Sequence, residues 1–396
     1  MRKSILIIAA AATVLASCTN EKVLNEIQTS STPTVIGFGT YAEKPTKAPT
    51  NYNLEKYHES FVVYGTKYSY IVDDADTIYV FGDEASATDS VAGTVCDYVD
   101  DNNLFHGSNW KYTDERYWDK QSYYDFVAYA PKYAPLAYKY VADDSRVGAE
   151  GNKFVSTDDF ELCGQNLQDK DETSEFKHLA EIMVGFTKDS VNEAGKDLDL
   201  MISDVVKTQN GKDYLNTNGN DRKDVNLPFH HILAKLNIAI AKTDKLDDAT
   251  VTIKSISLDS LKNKGRYNGE KWVAYDREAN STYSIKFNAA NDLARYAEIP
   301  ASTATNNKKY FIESIVMPQS LPDTCNLTIN YTIKRGNHEE PFISRTNISD
   351  DAIFTTFQDR YNYTLNITIN PTYITFDAQS LSWDKDETKG FDLDLY

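Results

Sequence analysis

Cys18 has the most definite chemistry in the chain, because its surroundings are those of a lipidation site. Arg2 and Lys3 form a short basic start, residues 5–15 are an almost unbroken apolar run, and small residues at 16 and 17 precede the cysteine. This order is typical of a bacterial secretory signal, and a cysteine after small residues indicates lipoprotein processing. We therefore expect a signal peptide over residues 1–17 and a lipid on the Cys18 thiol. The alternative is an ordinary secretory signal that happens to contain a cysteine.

The apolar run of the signal is too short to cross a bilayer, which takes about 20 apolar residues. The mature chain is thus expected to be a soluble body on a lipid tether formed by residues 18–33. A diacylated and N-acylated cysteine supplies the several chains that stable anchoring needs.

No catalytic or metal-binding constellation stands out. The chain has no GxSxG, HExxH or P-loop motif. His230 and His231 are adjacent, which on a strand directs their rings to opposite faces, so they cannot share a metal. The Asn-rich stretch 216–221 fails the EF-hand spacing. We predict neither enzymatic activity, nor a metal, nor another cofactor.

Acidic residues outnumber basic ones, 59 to 41, which gives a formal net charge of −18. Loss of Arg2 and Lys3 with the signal makes the charge two units more negative. Such a surface repels nucleic acid and favours solubility outside the cell. Nucleic acid is therefore not an expected partner.

Three cysteines, Cys96, Cys163 and Cys325, remain besides Cys18. An odd number cannot pair completely, so at most one disulfide forms, and the sequence does not say which. The stability of the chain must come from its core.

Period-two alternation of apolar and polar residues dominates the chain from Thr34 onward. Residues 326–334 and 361–370 alternate most regularly, and shorter stretches at 236–240 and 251–253 repeat the pattern. Each is typical of a strand with one buried and one solvated face. The fold class is predicted to be mainly β, with two antiparallel β-sandwich domains in tandem. A short helix is expected at 175–183.

The predicted domain boundary lies in a polar, Asn- and Gly-rich stretch. Residues 211–224 show no apolar period and either link two domains or form the tip of a long hairpin. An N-terminal sandwich would then span residues 34–210 and a C-terminal one residues 225–396.

Aromatic residues crowd the segment that contains Trp110, Trp118, Tyr123 and Tyr124. If exposed, these side chains would suit stacking on sugar rings. If buried, they are large core residues that each carry one polar group, an O–H or an N–H.

Several segments, taken in order, resemble the fimbrillin family of Bacteroidetes. They are Trp110…Tyr117-Trp118…Phe126-Val127-Ala128-Tyr129-Ala130-Pro131; Asp199-Leu200-Met201-Ile202; Val225-Asn226-Leu227-Pro228-Phe229-His230-His231 with Ala234-Lys235-Leu236; Met317-Pro318-Gln319; and Tyr361-x-Tyr363 leading to Ile374-x-Phe376 and Trp383. The resemblance implies two transthyretin-like β-sandwich domains, exported as a lipoprotein to the outer membrane. It also implies that a trypsin-like protease removes the first strand, and that a neighbouring subunit's C-terminal strand fills the gap as a fimbria grows.

Transferred to this chain, the resemblance makes residues 35–41 the removable first strand, with Val35, Ile36 and Phe38 as its apolar residues. The connection at 43–50 is polar and is the expected site of proteolysis. Family members commonly carry Thr-Arg-Ala here, whereas this chain has Thr46-Lys47-Ala48, so Lys47 is the predicted scissile residue and Ala48 the new N-terminus. A chain that is never cut would keep its lipid.

The expected donor residues lie near the C-terminus. They are Ile374, Phe376, Phe391, Leu393 and Leu395, and the last three alternate with Asp392 and Asp394. Both ends of the chain could instead complete their own sandwiches.

Two functions remain open. The first is a structural subunit, stalk or anchor, of a cell-surface fimbria that supports adhesion, with other fimbrial subunits as partners in a homopolymer or heteropolymer. The second is a non-polymerising outer-membrane surface lipoprotein that binds glycans or host ligands. A hydrolase is a weaker third possibility.

Overall fold

The alternating pattern of the sequence folds into a structure whose regular elements are nearly all β-strands, which confirms the predicted mainly β class. The computed structural model describes residues 33–40, 54, 60–69, 77–82, 90–91, 93–134, 136–139, 153–157, 160–162, 199–215, 223–274, 282–288, 298–305, 307–349, 355–382 and 388–391. From Thr34 onward these belong to one compact unit.

The strands up to residue 231 are β1 (Phe38–Gly39), β2 (Phe61–Ser69), β3 (Ile78–Phe81), β4 (Ser90–Val91), β5 (Thr94–Tyr98), β6 (Trp110–Lys111), β7 (Ser122–Ala130), β8 (Leu136–Lys139), β9 (Lys153–Ser156), β10 (Phe160–Glu161), β11 (Met201–Ser203), β12 (Val206–Asn210), β13 (Val225–Asn226) and β14 (Phe229–His231). A four-residue helix, α1 (Gly211–Tyr214), follows β12.

The later strands are β15 (Ala234–Lys242), β16 (Thr250–Lys262), β17 (Lys264–Tyr267), β18 (Trp272–Ala274), β19 (Thr282–Asn288), β20 (Lys309–Val316), β21 (Gln319–Ser320), β22 (Asn326–Arg335), β23 (His338–Asn347), β24 (Thr356–Phe357), β25 (Tyr361–Ile369), β26 (Ile374–Ser382) and β27 (Thr388–Phe391). A 3₁₀ turn, Asp244–Leu246, joins β15 to β16.

The buried apolar residues of the described chain form two clusters, the first core and the second core. The first core packs against a sheet centred on β7 and β2. The strand order is β14-β11-β7-β2-β5-β6, with β12 also paired to β7 and β3 to β2. The antiparallel ladder between β2 and β7 runs from Val62↔Tyr129 to Ser69↔Ser122. Eight of the nine residues of β7 are buried, so this strand is a fully enclosed one and not a half-solvated one.

The second core cluster lies between a five-stranded sheet, β20-β15-β25-β26-β27, and a four-stranded sheet, β19-β16-β22-β23. β15 pairs with β25 in parallel over eight residue pairs, from Lys235↔Asn362 to Lys242↔Ile369. Among the described strands, this pair and β1–β13 are parallel, and the other pairings are antiparallel. The chain segment between β15 and β25 forms the facing sheet before it returns alongside β15.

Packing crosses the predicted boundary at residues 211–224. Tyr214 of α1 is buried in the first core, and so are Trp272 and Met317 from much later in the chain. The Trp272 indole donates a hydrogen bond to the carbonyl of Ile232 (2.5 Å). The arrangement as two tandem sandwiches, with bounds at 34–210 and 225–396, stays a prediction.

Several predicted features lie outside the described residues. They are the signal peptide and tether, the lipidated Cys18, the Lys47–Ala48 cleavage site, the helix at 175–183, Cys163, Leu393 and Leu395. Cys96 and Cys325 are buried free thiols. None of the described helices has the length and apolar character needed to cross a membrane.

Candidate functional site

The start of the described chain lies in a slot between two other segments. We call residues 34–40 the opening segment, residues 108–118 the loop wall and residues 225–227 the strand wall. The opening segment includes β1 and an isolated antiparallel bridge between Val35 and Tyr117. β1 pairs in parallel with β13 of the strand wall. The predicted strand at 35–41 is thus present, although only Phe38 and Gly39 have regular strand geometry with a ladder partner.

Main-chain hydrogen bonds hold the opening segment on the side of the loop wall. The Ile36 amide donates to the carbonyl of Arg116 (2.8 Å), and the Trp118 amide donates to the carbonyl of Thr34 (3.0 Å). These bonds have the antiparallel pattern and need no particular side chain on the opening segment.

The strand wall binds the opposite edge. The Val225 amide donates to the carbonyl of Gly37, and the Leu227 amide donates to the carbonyl of Gly39, both at 2.8 Å. The opening segment is therefore an inner strand, bonded along both of its edges.

The predicted apolar residues Val35, Ile36 and Phe38 come together in this slot. They are 6%, 0% and 1% exposed. The Phe38 ring packs edge-on against four aromatic rings, with centroid distances of 5.1–6.1 Å. The four rings belong to Phe61, Phe81, Tyr112 and Phe126. Such contacts add about 0.5–1.5 kcal/mol per pair beyond area burial, so the slot has one well-defined aromatic pocket.

The loop wall is fixed by contacts that do not involve the opening segment. The Arg116 guanidinium donates through Nε to the carbonyl of Val80 (2.9 Å). The Trp118 ring stacks on Tyr214 of α1 at 4.0 Å with an interplanar angle of 16°. The Asp119 amide donates to the Tyr124 hydroxyl (2.7 Å). The wall therefore keeps partners of its own if the opening segment leaves.

A cavity of about 610 Å³ is lined by Tyr112 and Arg116 of the loop wall together with polar residues, among them Asp97 and Lys111. Burial opposes ionisation of Asp97, but hydrogen bonds from Lys132 and Ser60 outweigh it and lower the pKa of this carboxyl. The lining carries charges of both signs, and one of its two acidic residues, Asp97, is already paired with Lys132 (2.6 Å).

The predicted donor residues lie in a different sheet. β26, which carries Ile374 and Phe376, pairs with β25 through nine residue pairs, and Phe376 is buried in the second core. β27 pairs with the other edge of β26, from Ala378↔Phe391 to Leu381↔Thr388. Among the described strands, β27 ends the strand order of this sheet and pairs with β26 alone.

Three of the four aromatic residues that could have formed a sugar platform are buried, and the fourth, Tyr123, is half-buried. Trp110 is 0% exposed and Trp118 is 6% exposed, and both belong to the first core. The core interpretation of this segment is therefore the one that the fold supports.

His230 and His231 have separate partners, as expected of neighbours on a strand. His231 Nδ1 lies 2.9 Å from the carboxylate of Asp199, and both side chains are almost fully buried. His230 lies 2.6 Å from the guanidinium of Arg360 and 3.3 Å from Asp204. These contacts join β14 to the two residues that flank β11, Asp199 and Asp204, and to Arg360, which immediately precedes β25.

Comparison with known proteins supplies the family. The sequence model of the fimbrillin-like family matches residues 69–383, which is well over half of the chain. The chain belongs to the fimbrillin-like family. The resemblance seen in the sequence is thereby confirmed, and it makes this chain a fimbrial or adhesin-like protein of a structural kind, associated with the cell surface and with other fimbrial subunits.

Solved structures similar to this fimbrillin-like chain come from species of Bacteroides and Porphyromonas, among others. A candidate cell adhesion protein from Bacteroides uniformis is 15% identical, with a TM-score of 0.43, over 90% of this chain and 100% of that one. A second, from Bacteroides ovatus, is 12% identical, with a TM-score of 0.42, over 92% and 100%. A C-terminally truncated tip fimbrial protein from Porphyromonas gingivalis is 10% identical, with a TM-score of 0.32, over 88% and 100%. Among curated proteins, no match to the chain was found.

The sequence of this fimbrillin-like chain predicts the opening segment, but it does not predict which residues form the walls of the slot. Residues 225–227 were included in the family resemblance without a role. Ser108 and Tyr112, which contact the opening segment directly, carry no pattern that distinguishes them from other polar residues of a β protein.

Proposed function

We propose that this fimbrillin-like protein is a structural subunit, stalk or anchor, of a cell-surface fimbria, and that it supports adhesion. It is exported as a lipoprotein through Cys18 and reaches the outer membrane. A protease then cuts between Lys47 and Ala48, which frees the opening segment from the rest of the chain. A strand from a neighbouring subunit takes its place.

The observation that supports strand exchange best is the bonding of the opening segment along both edges. Its departure would leave the amides of Trp118, Val225 and Leu227 without their acceptors, beside an aromatic pocket. Unpaired strand edges of this kind are templates for an incoming strand. Burial of Val35, Ile36 and Phe38 contributes on the order of 5–9 kcal/mol, so an empty slot is costly and is refilled by another strand.

The donor that we propose is the end of the chain. β27 is an edge strand with one neighbour, so it can leave without breaking the sheet. Phe391, Leu393 and Leu395 would be its apolar residues. Ile374 and Phe376 stay behind in β26, because that strand pairs with β25 over nine residue pairs and Phe376 is buried in the second core.

A glycan-binding surface lipoprotein is less well supported. Its main argument was a cluster of exposed aromatic side chains, and Trp110 and Trp118 are buried. A chain that is not cut at Lys47 would retain its lipid and act as the anchor.

Polymerisation in solution tests the proposal. The secreted chain without signal or lipid is treated with a lysine-specific protease, and the products are separated by electrophoresis without boiling. We expect a ladder of stable oligomers from the cut chain, and none from a Lys47→Gln chain that resists the cut. Sequencing of material sheared from cells should start at Ala48 for a processed subunit, or be blocked at Cys18 for an anchor.

Two tail variants identify the donor. A chain with Phe391, Leu393 and Leu395 all changed to Asp should stay monomeric after cleavage, because its tail cannot fill an apolar slot. The matched control changes Asp392 and Asp394 to Asn in the same tail and should still form the ladder. If the cut wild-type chain remains monomeric at high concentration, strand exchange is wrong for this protein.

A further inference from the structure

Two buried hydroxyl groups complete the hydrogen bonding of the opening segment. Tyr112 donates its hydroxyl to the carbonyl of Ile36 (2.7 Å), and Ser108 donates its hydroxyl to the carbonyl of Phe38 (2.9 Å). Tyr112 is 3% exposed and Ser108 is 2% exposed. Two carbonyls on the same edge of a strand, two residues apart, are thus bound by side chains and not by a neighbouring main chain.

The hydroxyls act where the loop wall departs from strand geometry. Trp118 and Arg116 pair with the opening segment through their main chains. Asp114 then has a φ of 57°, in the left-handed region, so the chain does not continue as an extended partner. Beyond this point, the side chains of Tyr112 and Ser108 supply the donors that a regular strand would have supplied.

Both hydroxyls are oriented from within the loop wall. The Tyr112 oxygen accepts from the amide of Arg116 (3.4 Å), and the Ser108 oxygen accepts from the amide of Trp110 (3.1 Å). Each hydroxyl therefore accepts a hydrogen bond from its own wall. The Tyr112 proton is directed to the slot, because the Ile36 carbonyl lies 2.7 Å from the Tyr112 oxygen, whereas the Arg116 carbonyl lies 3.5 Å from it. These wall contacts do not depend on the opening segment.

We propose that Ser108 and Tyr112 set the register of whichever strand occupies the slot, including the strand donated by a second copy of this chain. The inference rests on the proposed function and adds two specificity-determining residues to it. Because carbonyl oxygens are common to all residue types, the two hydroxyls recognise an extended backbone without reading its sequence.

The spacing of the two hydroxyls excludes half of the possible registers. Successive carbonyls of a strand point to opposite edges. A shift by one residue would turn the occupant's carbonyls away from Tyr112 and Ser108 and leave two buried hydroxyls without acceptors, each at the cost of an unmade hydrogen bond. A shift by two residues restores these bonds, so the aromatic pocket at Phe38 must choose among the remaining registers. Register is thus set in two steps: the hydroxyls exclude shifts by an odd number of residues, and the aromatic pocket selects among shifts by an even number.

Release of a labelled peptide from the slot tests the role of the hydroxyls. A recognition sequence for a specific protease is inserted between residues 44 and 48 of the secreted chain, which is then cut. A fluorescent peptide of residues 33–41 is exchanged into the slot, and its release is followed by anisotropy after addition of unlabelled peptide. We expect Tyr112→Phe and Ser108→Ala each to speed release about fivefold to tenfold, the factor for one buried hydrogen bond. Tyr331→Phe, a matched change in the second core, should leave the rate unchanged.

A second peptide separates the hydrogen bond from general damage to the slot. In this peptide a trans alkene replaces the Ile36–Gly37 amide, which keeps the extended shape and removes the carbonyl oxygen that Tyr112 binds. The alkene peptide should leave the wild-type slot at least as fast as the Tyr112→Phe slot, because the bond is absent in both and the wild-type hydroxyl is left without its acceptor. Non-additivity of this kind is the signature of a direct contact.

The outcomes separate the two proposals. If Tyr112→Phe speeds release of the alkene peptide by the same factor as the normal peptide, the hydroxyl does not read the Ile36 carbonyl and the inference is wrong. Equal release from wild type, Tyr112→Phe and Ser108→Ala also overturns it. If the peptide does not enter the cut wild-type slot at all, strand exchange itself fails.

Discussion

At the scale of single residues, the slot binds its occupant through two kinds of contact. Some can be made by the backbone of any strand, and others require a particular side chain. The main-chain amides of the two walls, and the hydroxyls of Ser108 and Tyr112, bind carbonyls that any occupant offers. The aromatic pocket around Phe38 is the specific part, because a small or polar residue there would remove an edge-on contact from each of four rings. This division suits a site that must release one strand and accept another of different sequence.

Trp118 gives a direct test of how much the loop wall depends on its own packing. Its ring is 6% exposed and stacks on Tyr214 at 4.0 Å. We expect Trp118→Ala to lower the free energy of unfolding by about 3–5 kcal/mol, the usual cost of truncating a buried tryptophan, as measured by urea denaturation. Tyr117→Ala is the control, because the neighbouring Tyr117 side chain is 44% exposed and should change stability by only about 0.5 kcal/mol. Equal midpoints for the two variants would contradict the burial of Trp118.

Residue roles in the slot were only partly predictable from the sequence. Val35, Ile36 and Phe38 could be predicted as apolar residues of a first strand, because they lie together in an apolar stretch. Ser108 and Tyr112 could not, since their bonds reach carbonyls 70 and 76 positions away and a side-chain bond over that distance leaves no local pattern. For Trp110 and Trp118, the sequence left burial and exposure both open, and the fold decides for burial.

At the scale of elements, regular alternation predicted the positions of strands well, although the solvated face that it also predicted is absent from β25, where every residue is buried or half-buried. The stretches 326–334 and 361–370 correspond to β22 and β25 within one residue at each end. Alternation says less about β15, whose nine residues are all buried, and it does not reveal that β15 and β25 run in parallel. Strand direction depends on the route of the intervening chain, which residue patterns do not encode.

The turn before Ser108 is an element whose geometry bears on the slot. Phe105 and Ser108 exchange main-chain hydrogen bonds of 2.8 and 2.9 Å, and His106 and Gly107 between them have φ values of 48° and 91°. Two positive φ values in a two-residue hairpin loop are typical of a type I′ turn, which fixes where the next residue points. The position of the Ser108 hydroxyl therefore depends on this turn.

Substitution at Gly107 tests the turn. Gly107→Ala should lower the free energy of unfolding by about 1–2 kcal/mol in urea denaturation, because a Cβ is strained at a positive φ. His106→Asn is the control: asparagine tolerates this backbone region, and the solvent-exposed contact with Glu115 that it removes contributes little to stability. A Gly107→Ala chain as stable as wild type would show that the turn relaxes to another type.

At the scale of the whole molecule, the chain forms two cores, and no single position in the sequence separates the residues of one core from those of the other. Trp272 and Met317 belong to the first core although they follow the first strand of the second. The polar composition of residues 211–224 predicted a linker, but composition cannot show that Tyr214 packs against Trp118. Contacts between distant parts of the chain are what a single sequence reveals least.

The many buried tyrosines predict that the whole molecule unfolds at high pH. Burial raises the pKa of Tyr129 and Tyr267 to about 12, and it raises the pKa of Tyr64 and Tyr124 still further. In the unfolded chain these phenols have a pKa of about 10. Below that pH both states keep the protons, and stability does not depend on these groups. Above it the unfolded state releases protons that the folded state retains, so stability falls with rising pH, by up to about 1.4 kcal/mol per pH unit for each group.

Urea denaturation at a series of pH values from about 9 to 11.5 measures this loss, with tyrosinate absorbance as the probe of ionisation. We expect a falling midpoint above about pH 10, and ionisation of the buried phenols only as the chain unfolds. A chain with Tyr129→Phe and Tyr267→Phe should lose stability less steeply, because two of the linked groups are gone. Tyr373→Phe, at a side chain that is 56% exposed, should leave the slope unchanged. A midpoint that does not move across this range, or phenols that ionise in the folded chain, would mean that these tyrosines reach water and that the first core is more open than its packing indicates.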